Sequence, residues 1–343
     1  VPRSLVPVLL AAGLVVMWSS GFVGAELGTR QAPATTLLAW RFLVVAGMLA
    51  AWCVYRGTRM SRRDLVLHAA LGVLAQGGYL YGVVAAAQVG VAAGTSALVA
   101  SLQPLVATAL AVPLLGERVR ARQTAGLVVG LGGVGLVVGS DLLRPGAAPW
   151  WGYALPFGAM LSLVAATLVE RRTRPGGSVV TALAVQCAVS AVLFTGLAAA
   201  TGTLAPPAAP GFWAAVAWVV VLSTLGGYGL YWANLARFGV ARVSALLYLT
   251  PPTTLVWTWV MFREAMGVGA LAGTAVCAAA VALVLLPSRP AASTRMPAGA
   301  ASRARVRSGT DPDRGAHGTG GRAERVKRAG SGTEPGAVVE HGS

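Results

Sequence analysis

Where this sequence could do chemistry is set by a few polar side chains inside long apolar runs, because each costs free energy there unless a polar partner meets it. Arg41 is the most demanding. It stands seven residues into one such run, about 10 Å deep at about 1.5 Å per helical residue. It reads equally as an anchor reaching for the headgroups and as a substrate or gate contact, with Glu26 as a partner near the same surface. Gln76 and Tyr79 are three apart, as are Tyr228, Tyr231 and Asn234 in turn, spacings that put each set on one helix face. Ser96, Ala100 and Gln103 share a face in the same way, and so do Ser244, Tyr248 and Pro251. Such groups can hydrogen-bond to a small solute or, as plainly, to one another across helices. They do not make a catalytic set: the apolar region has no HExxH and no Cys/His group, and Asp64, Asp141 and its four glutamates are unpaired in sequence. Cys53, Cys187 and Cys277 lie far apart in apolar runs and read as small buried hydrophobes. The pattern calls for no metal and no cofactor.

The elements that must position these groups are transmembrane helices. Of 343 residues, 56% are hydrophobic and 11% charged, too little charge to coat a soluble surface, which takes about a quarter. Apolar runs of about 20 residues, the length that crosses a bilayer, recur at 5–24, 34–55, 66–86, 92–115, 123–140, 150–169, 179–200, 211–235, 242–262 and 267–287. Arginines test that count. With the N-terminus inside, Arg3, the Arg56–Arg63 group, Arg118–Arg122, Arg171–Arg174, Arg237 and Arg242 all fall on the inner side, leaving Arg30, Arg41, Arg144 and Arg263 outside. Adding or losing one span would misplace whole clusters. After Pro287 the chain becomes rich in Arg, Gly, Ser and Pro, a disordered basic cytoplasmic tail over 288–343. The net charge of +16 is accounted for by this topology and the tail, which suits anionic lipid better than nucleic acid.

The chain also repeats. GYLYGVVAAAQVGVA at 78–92 matches GYGLYWANLARFGVA at 227–241, an offset of 149 residues, and Pro104 to Glu117 has the thirteen-residue spacing of Pro251 to Glu264. Each copy holds five spans, so the second enters the membrane from the opposite side, and inverted repeats create a midplane cavity that opens to either side by rocking. The polar faces of the third, fourth, eighth and ninth helices could meet there. Pro104, Pro251 and Pro252 fall inside helical runs and are expected to kink them and release carbonyls. Glu117 and Glu264 end the fourth and ninth helices as paired gates or proton carriers, or as solvated ends beside Arg118 and Arg263. Glycines 126 with 130 and 135 with 139 read as close packing or a homodimer face.

These residues resemble the drug/metabolite transporter superfamily, in its ten-helix branch with two EamA-type domains. The marks are Trp18-Ser19-Ser20-Gly21-Phe22, Arg41-Phe42, Gln103-Pro104, Leu115-Gly116-Glu117-Arg118, Tyr248-Leu249-Thr250-Pro251 and Glu264. Phe262-Arg263-Glu264 departs from the Leu-Gly-Glu usual in that family's second copy, so the ninth helix is expected to close differently. The resemblance covers residues 5 to about 287 and implies repeats at 1–140 and 150–287, an all-α integral membrane fold, and export of amino acids, other metabolites or drugs across the plasma membrane. On this reading the substrate-binding candidates are Trp18, Ser19, Gln76, Tyr79, Gln103, Tyr228, Tyr231, Asn234 and Tyr248. The gate or hinge candidates are Arg41, Pro104, Pro251, Glu117 and Glu264. A secondary active transporter is expected, since no phosphate-binding GxxxxGK[ST] loop occurs. A membrane enzyme acting on lipid-linked substrates, and a passive channel or scaffold, are the alternatives from other classes.

Overall fold

The computed structural model describes residues 5–116, 121–144, 146–263 and 267–285. They form helices in ten passes: α1 (Leu5–Thr29), α2 (Ala34–Tyr55), α3 (Arg62–Gln88), α4 (Ala93–Ser101 and Gln103–Leu115), α5 (Ala121–Leu142), α6 (Trp150–Thr173), α7 (Val179–Ala200), α8 (Pro210–Gly239), α9 (240–247 and Thr250–Phe262) and α10 (Val268–Leu285). The first eight are each long and apolar enough to cross a hydrocarbon core. Side chains such as Val8, Val54 and Val192 point outward and are mostly exposed, as a lipid-facing surface requires. Glu117, Glu264 and the tail lie outside the described residues.

The internal repeat is carried by backbone as well as by sequence. Gly90 (φ 92°) turns the chain from α3 into α4, and its counterpart Gly239 (φ 75°) does the same between α8 and α9; both sit in the left-handed region that favours glycine. Residues Gly72–Gly78 of α3 and Val219–Gly226 of α8 are π-helical. At the end of α4, Gly116 (φ 71°) closes the helix in the left-handed conformation, and Arg263 (φ 57°) closes α9 identically. The departure at Arg263 therefore leaves the geometry of closure unchanged, against expectation, although the residue there is not glycine.

One further expectation is corrected. Pro104, Pro251 and Pro252 do not kink continuous helices; α4 and α9 are broken, at Leu102 and at 248–249, and the prolines occupy the first turns of the second pieces. A proline lacks the N–H that a helix interior needs, whereas the first turn has no use for it.

Repeat partners pack against each other: α2 on α7, α4 on α9, α5 on α10, while α1 pairs with α8 as α6 does with α3. Lipid is as apolar as leucine, so these contacts rest on close fit and on hydrogen bonds rather than on expulsion of water. Phe42 stacks on Phe194 between α2 and α7, ring centres 5.7 Å apart. Trp40 Nε1 and Thr36 Oγ1 donate to the carbonyls of Leu204 and Thr203 just beyond α7. Between α5 and α10, Gly133 allows an approach so close that a Cβ on it would stand 2.7 Å from Cys277 Sγ and 3.0 Å from the Gly273 carbonyl oxygen. Gly130 likewise packs inward, whereas Gly135 and Gly139 meet nothing within 4 Å.

That contrast fixes the sign of two substitutions. Gly133→Ala is expected to destabilise the purified protein by about 1–3 kcal/mol through overpacking, and Gly135→Ala to stabilise it by up to about 1 kcal/mol through helix propensity. Thermal unfolding in detergent checks both, and equal shifts would contradict the packing.

Candidate functional site

Two adjoining chambers occupy the middle of the helical body. The first, about 460 Å³ with its open mouth included, is lined by Trp18, Arg41, Tyr79, Ser223 and Tyr228 among others. The second, about 440 Å³ on the same measure, is lined by Ala100, Gln103, Pro104, Leu247 and Thr250 among others. Trp18, Phe22 and Tyr79 line both and form the wall between them. The third, fourth, eighth and ninth helices all contribute, as expected, but α1 supplies most of the dividing wall.

Arg41 is 3% exposed. Its Nη2 donates to Thr224 Oγ1 at 3.0 Å and, at a weaker 3.4 Å, to Ser223 Oγ, both in the π-helical stretch of α8; its Nε meets no partner. No carboxylate lies within ion-pair distance of it among the described residues, and Glu26 pairs instead with Arg30. Hydroxyls give a guanidinium dipoles but no countercharge. A buried cation in that condition favours an anion beside it.

Around it the polar faces do meet. Gln76 Nε2 donates to Tyr228 Oη at 2.5 Å, joining the π-helical stretch of α3 to the α-helical turn that follows the one in α8; Gln76 itself lines neither chamber. The Trp18 ring lies 5.6 Å from Tyr228, edge-on, and 5.6 Å from Tyr231. In the second chamber Gln103 Nε2 donates to Thr167 Oγ1 of α6 at 2.9 Å. Two residues at the helix breaks belong here as well. Pro104 and Pro251 cannot donate to the oxygens four residues earlier, those of Ala100 and Leu247, and both of these residues line the chamber.

Other candidates are placed elsewhere. Ser19 is fully buried and donates to the carbonyls of Val15 and Thr250, tying α1 to the break in α9. Asn234 is fully buried and donates to the carbonyls of Leu10 and Leu230, so it clamps α1 to α8 away from both chambers. Tyr248, half-buried, sits in the break of α9, and Pro251 is buried behind it; neither lines a chamber. The sequence reading missed Ser223, Thr224 and Thr167. A signal for the first two existed, a polar pair in an apolar run just before Gly226-Gly227.

The comparisons with known proteins fit this arrangement. The model of the EamA-like transporter family matches residues 5–139 and again 150–286. The chain belongs to the EamA-like transporter family. It is 29% identical over 278 residues, 79% of this chain and 90% of the relative, to a probable terminal-alkyne amino-acid exporter of Streptantibioticus cattleyicolor. It is 25% identical over 274 residues, 75% of this chain and 87% of the other, to a probable amino-acid metabolite efflux pump of Escherichia coli. A crystal structure with 22% identity shares the fold at a TM-score of 0.56, covering 81% of this chain and 96% of the other. A membrane transporter of this family carries a small molecule.

The Gln76–Tyr228 bond is testable without a substrate. Tyr228→Phe leaves a buried amide hydrogen unpaired and is expected to cost about 1–3 kcal/mol. Adding Gln76→Leu should recover part of that loss, because an apolar pair has nothing left to satisfy; strictly additive losses in detergent unfolding would show the two side chains to be uncoupled.

Proposed function

We propose that this protein is a secondary active exporter of small amino acids or amino-acid-like metabolites, working by alternating access, with the substrate carboxylate held at Arg41. The observation that carries this reading is the buried guanidinium facing a chamber with no countercharge. Two more features agree with it. The second pieces of α4 and α9 begin at the second chamber, bringing the positive ends of two helix dipoles to a midplane site, as discontinuous transporter helices do for anionic groups. The names of the two relatives also point to amino-acid compounds. Trp18, Tyr79 and Tyr228 supply an aromatic wall for the apolar part of the substrate, Gln103 a hydrogen bond, and Gln76 holds Tyr228 in place from outside the chamber.

In this reading the halves 1–140 and 150–287 rock about the pseudo-two-fold axis, with the broken helices at Pro104 and Pro251 as hinges. The arginine-rich connections and both termini face the cytoplasm, the protein resides in the plasma membrane, and the basic segment 288–343 lies along anionic lipid.

Counterflow by protein reconstituted in liposomes tests the reading. Arg41→Gln is expected to lower kcat/KM for a carboxylate-bearing amino acid about ten-fold or more, the worth of a hydrogen bond to a charged group, and to affect the matching amino-acid amide much less. Tyr79→Ala should lower transport of both. Equal losses for acid and amide under Arg41→Gln would remove Arg41 from carboxylate recognition, and no counterflow with any amino acid would overturn the substrate class.

A further inference from the structure

A third cavity, sharing no lining residue with the central chambers, opens between α4, α5, α9 and α10 at the membrane face that carries few arginines. It holds about 750 Å³, open mouth included, and Thr95, Asp141, Arg144, Leu255 and Thr258 are among its lining residues. Asp141 and Arg144 also line an adjoining pocket of about 480 Å³ with Tyr153. Asp141 is 6% exposed, uncommon for a carboxylate. Thr95 Oγ1 donates to its Oδ2. Among the described residues its Oδ1 has only a loose ion pair, with Arg144 Nη1 at 3.4 Å, where a well-made charged hydrogen bond measures about 2.7–2.9 Å. The Arg144 side chain is half exposed and can turn. One face of a roomy cleft thus presents a fixed, incompletely compensated negative charge and, one helical turn on, a movable positive one.

We propose that this cleft is a second, extracellular-side binding site for a zwitterionic α-amino acid, its ammonium group at Asp141 and its carboxylate at Arg144. The proposal rests on the amino-acid reading given above and adds a station to it. The charges decide the ligand class. A lone cation would be repelled by Arg144 and a lone anion by Asp141, while a zwitterion replaces a loose internal pair by two direct ones and leaves net charge unchanged. Position suggests the use. The same two helices, α4 and α9, line the second central chamber through Ala100 and Thr250 and the outer cleft through Gly94 and Leu255. Gly94 has no Cβ where one would stand 2.5 Å from Leu255 Cδ2, so the two helices approach closely at the cleft. A substrate leaving the second chamber between these helices toward the outer face would arrive at Asp141.

Equilibrium binding to the full chain in detergent, using each of the twenty common α-amino acids and then the tightest binder, tests this. Wild-type protein should take up two molecules, and Asp141→Asn and Arg144→Gln one each, the second affinity falling at least ten-fold. The deaminated acid of that amino acid, which keeps the carboxylate for Arg41 but has no ammonium group for Asp141, should fill only one site of the wild type. KM for counterflow, set in the central chambers, should stay within two-fold in both variants. Arg144→Gln alters a half-exposed side chain and keeps the test alive if Asp141→Asn fails to fold. One bound molecule in all three proteins, including the case in which the cleft takes only a proton, overturns the outer site and leaves the amino-acid reading standing. Binding of no amino acid anywhere overturns both.

Discussion

Everything distinctive about this fold follows from one constraint: in hydrocarbon, each backbone N–H and C=O must find a partner inside the protein. Several departures from regular α-helix stand where a partner exists or a cavity adjoins them. In the π-helical turn of α3, Ser190 of α7 donates to the Gly72 carbonyl and Ser162 of α6 to that of Leu74. In the matching turn of α8, Thr224 returns its hydroxyl to the Val219 carbonyl. The proline-started pieces of α4 and α9 leave two carbonyls short of a helical donor, and both belong to chamber-lining residues. Irregular backbone and empty space thus occur together for a physical reason. Polar groups that cannot be satisfied within a helix are tolerated where a solute can reach them.

The same constraint explains how much could be read without coordinates. Ten passes, inverted halves and a transporter fold were legible because hydrophobic length and loop charge act residue by residue along the chain. Arg41, Gln76, Tyr79 and Tyr228 were legible because polar side chains stand out in apolar text. The π-helical turn of α3 was not, since its carbonyls are met by hydroxyls of α6 and α7, far downstream in the chain. Asn234 misled the reading for a simpler reason. Each step of three residues falls about 60° short of a full helical turn, so Asn234 stands about 120° around the helix from Tyr228. There it meets the Leu10 carbonyl of α1. The breaks in α4 and α9 were half legible: proline marks the residue, but whether it bends a helix or begins a new one is decided by packing.

Pseudo-symmetry makes the position of Arg41 informative. Ser190 stands 149 residues after Arg41, the offset of the repeat, on the helix that pairs with α2. Each side chain reaches the π-helical turn of the opposite repeat, Ser190 that of α3 at Gly72 and Arg41 that of α8 at Ser223 and Thr224. The scaffold therefore asks only for a hydrogen-bond donor at this position, and a hydroxyl meets that need in one half. A guanidinium in the other half exceeds it, adding a desolvated charge that costs several kcal/mol and improves no backbone contact a serine could not make. Structure alone does not account for that excess, whereas an anionic group entering the chamber does. On the proposed reading, the charge that distinguishes the two halves is what gives the cavity between them its preference for an anionic ligand group.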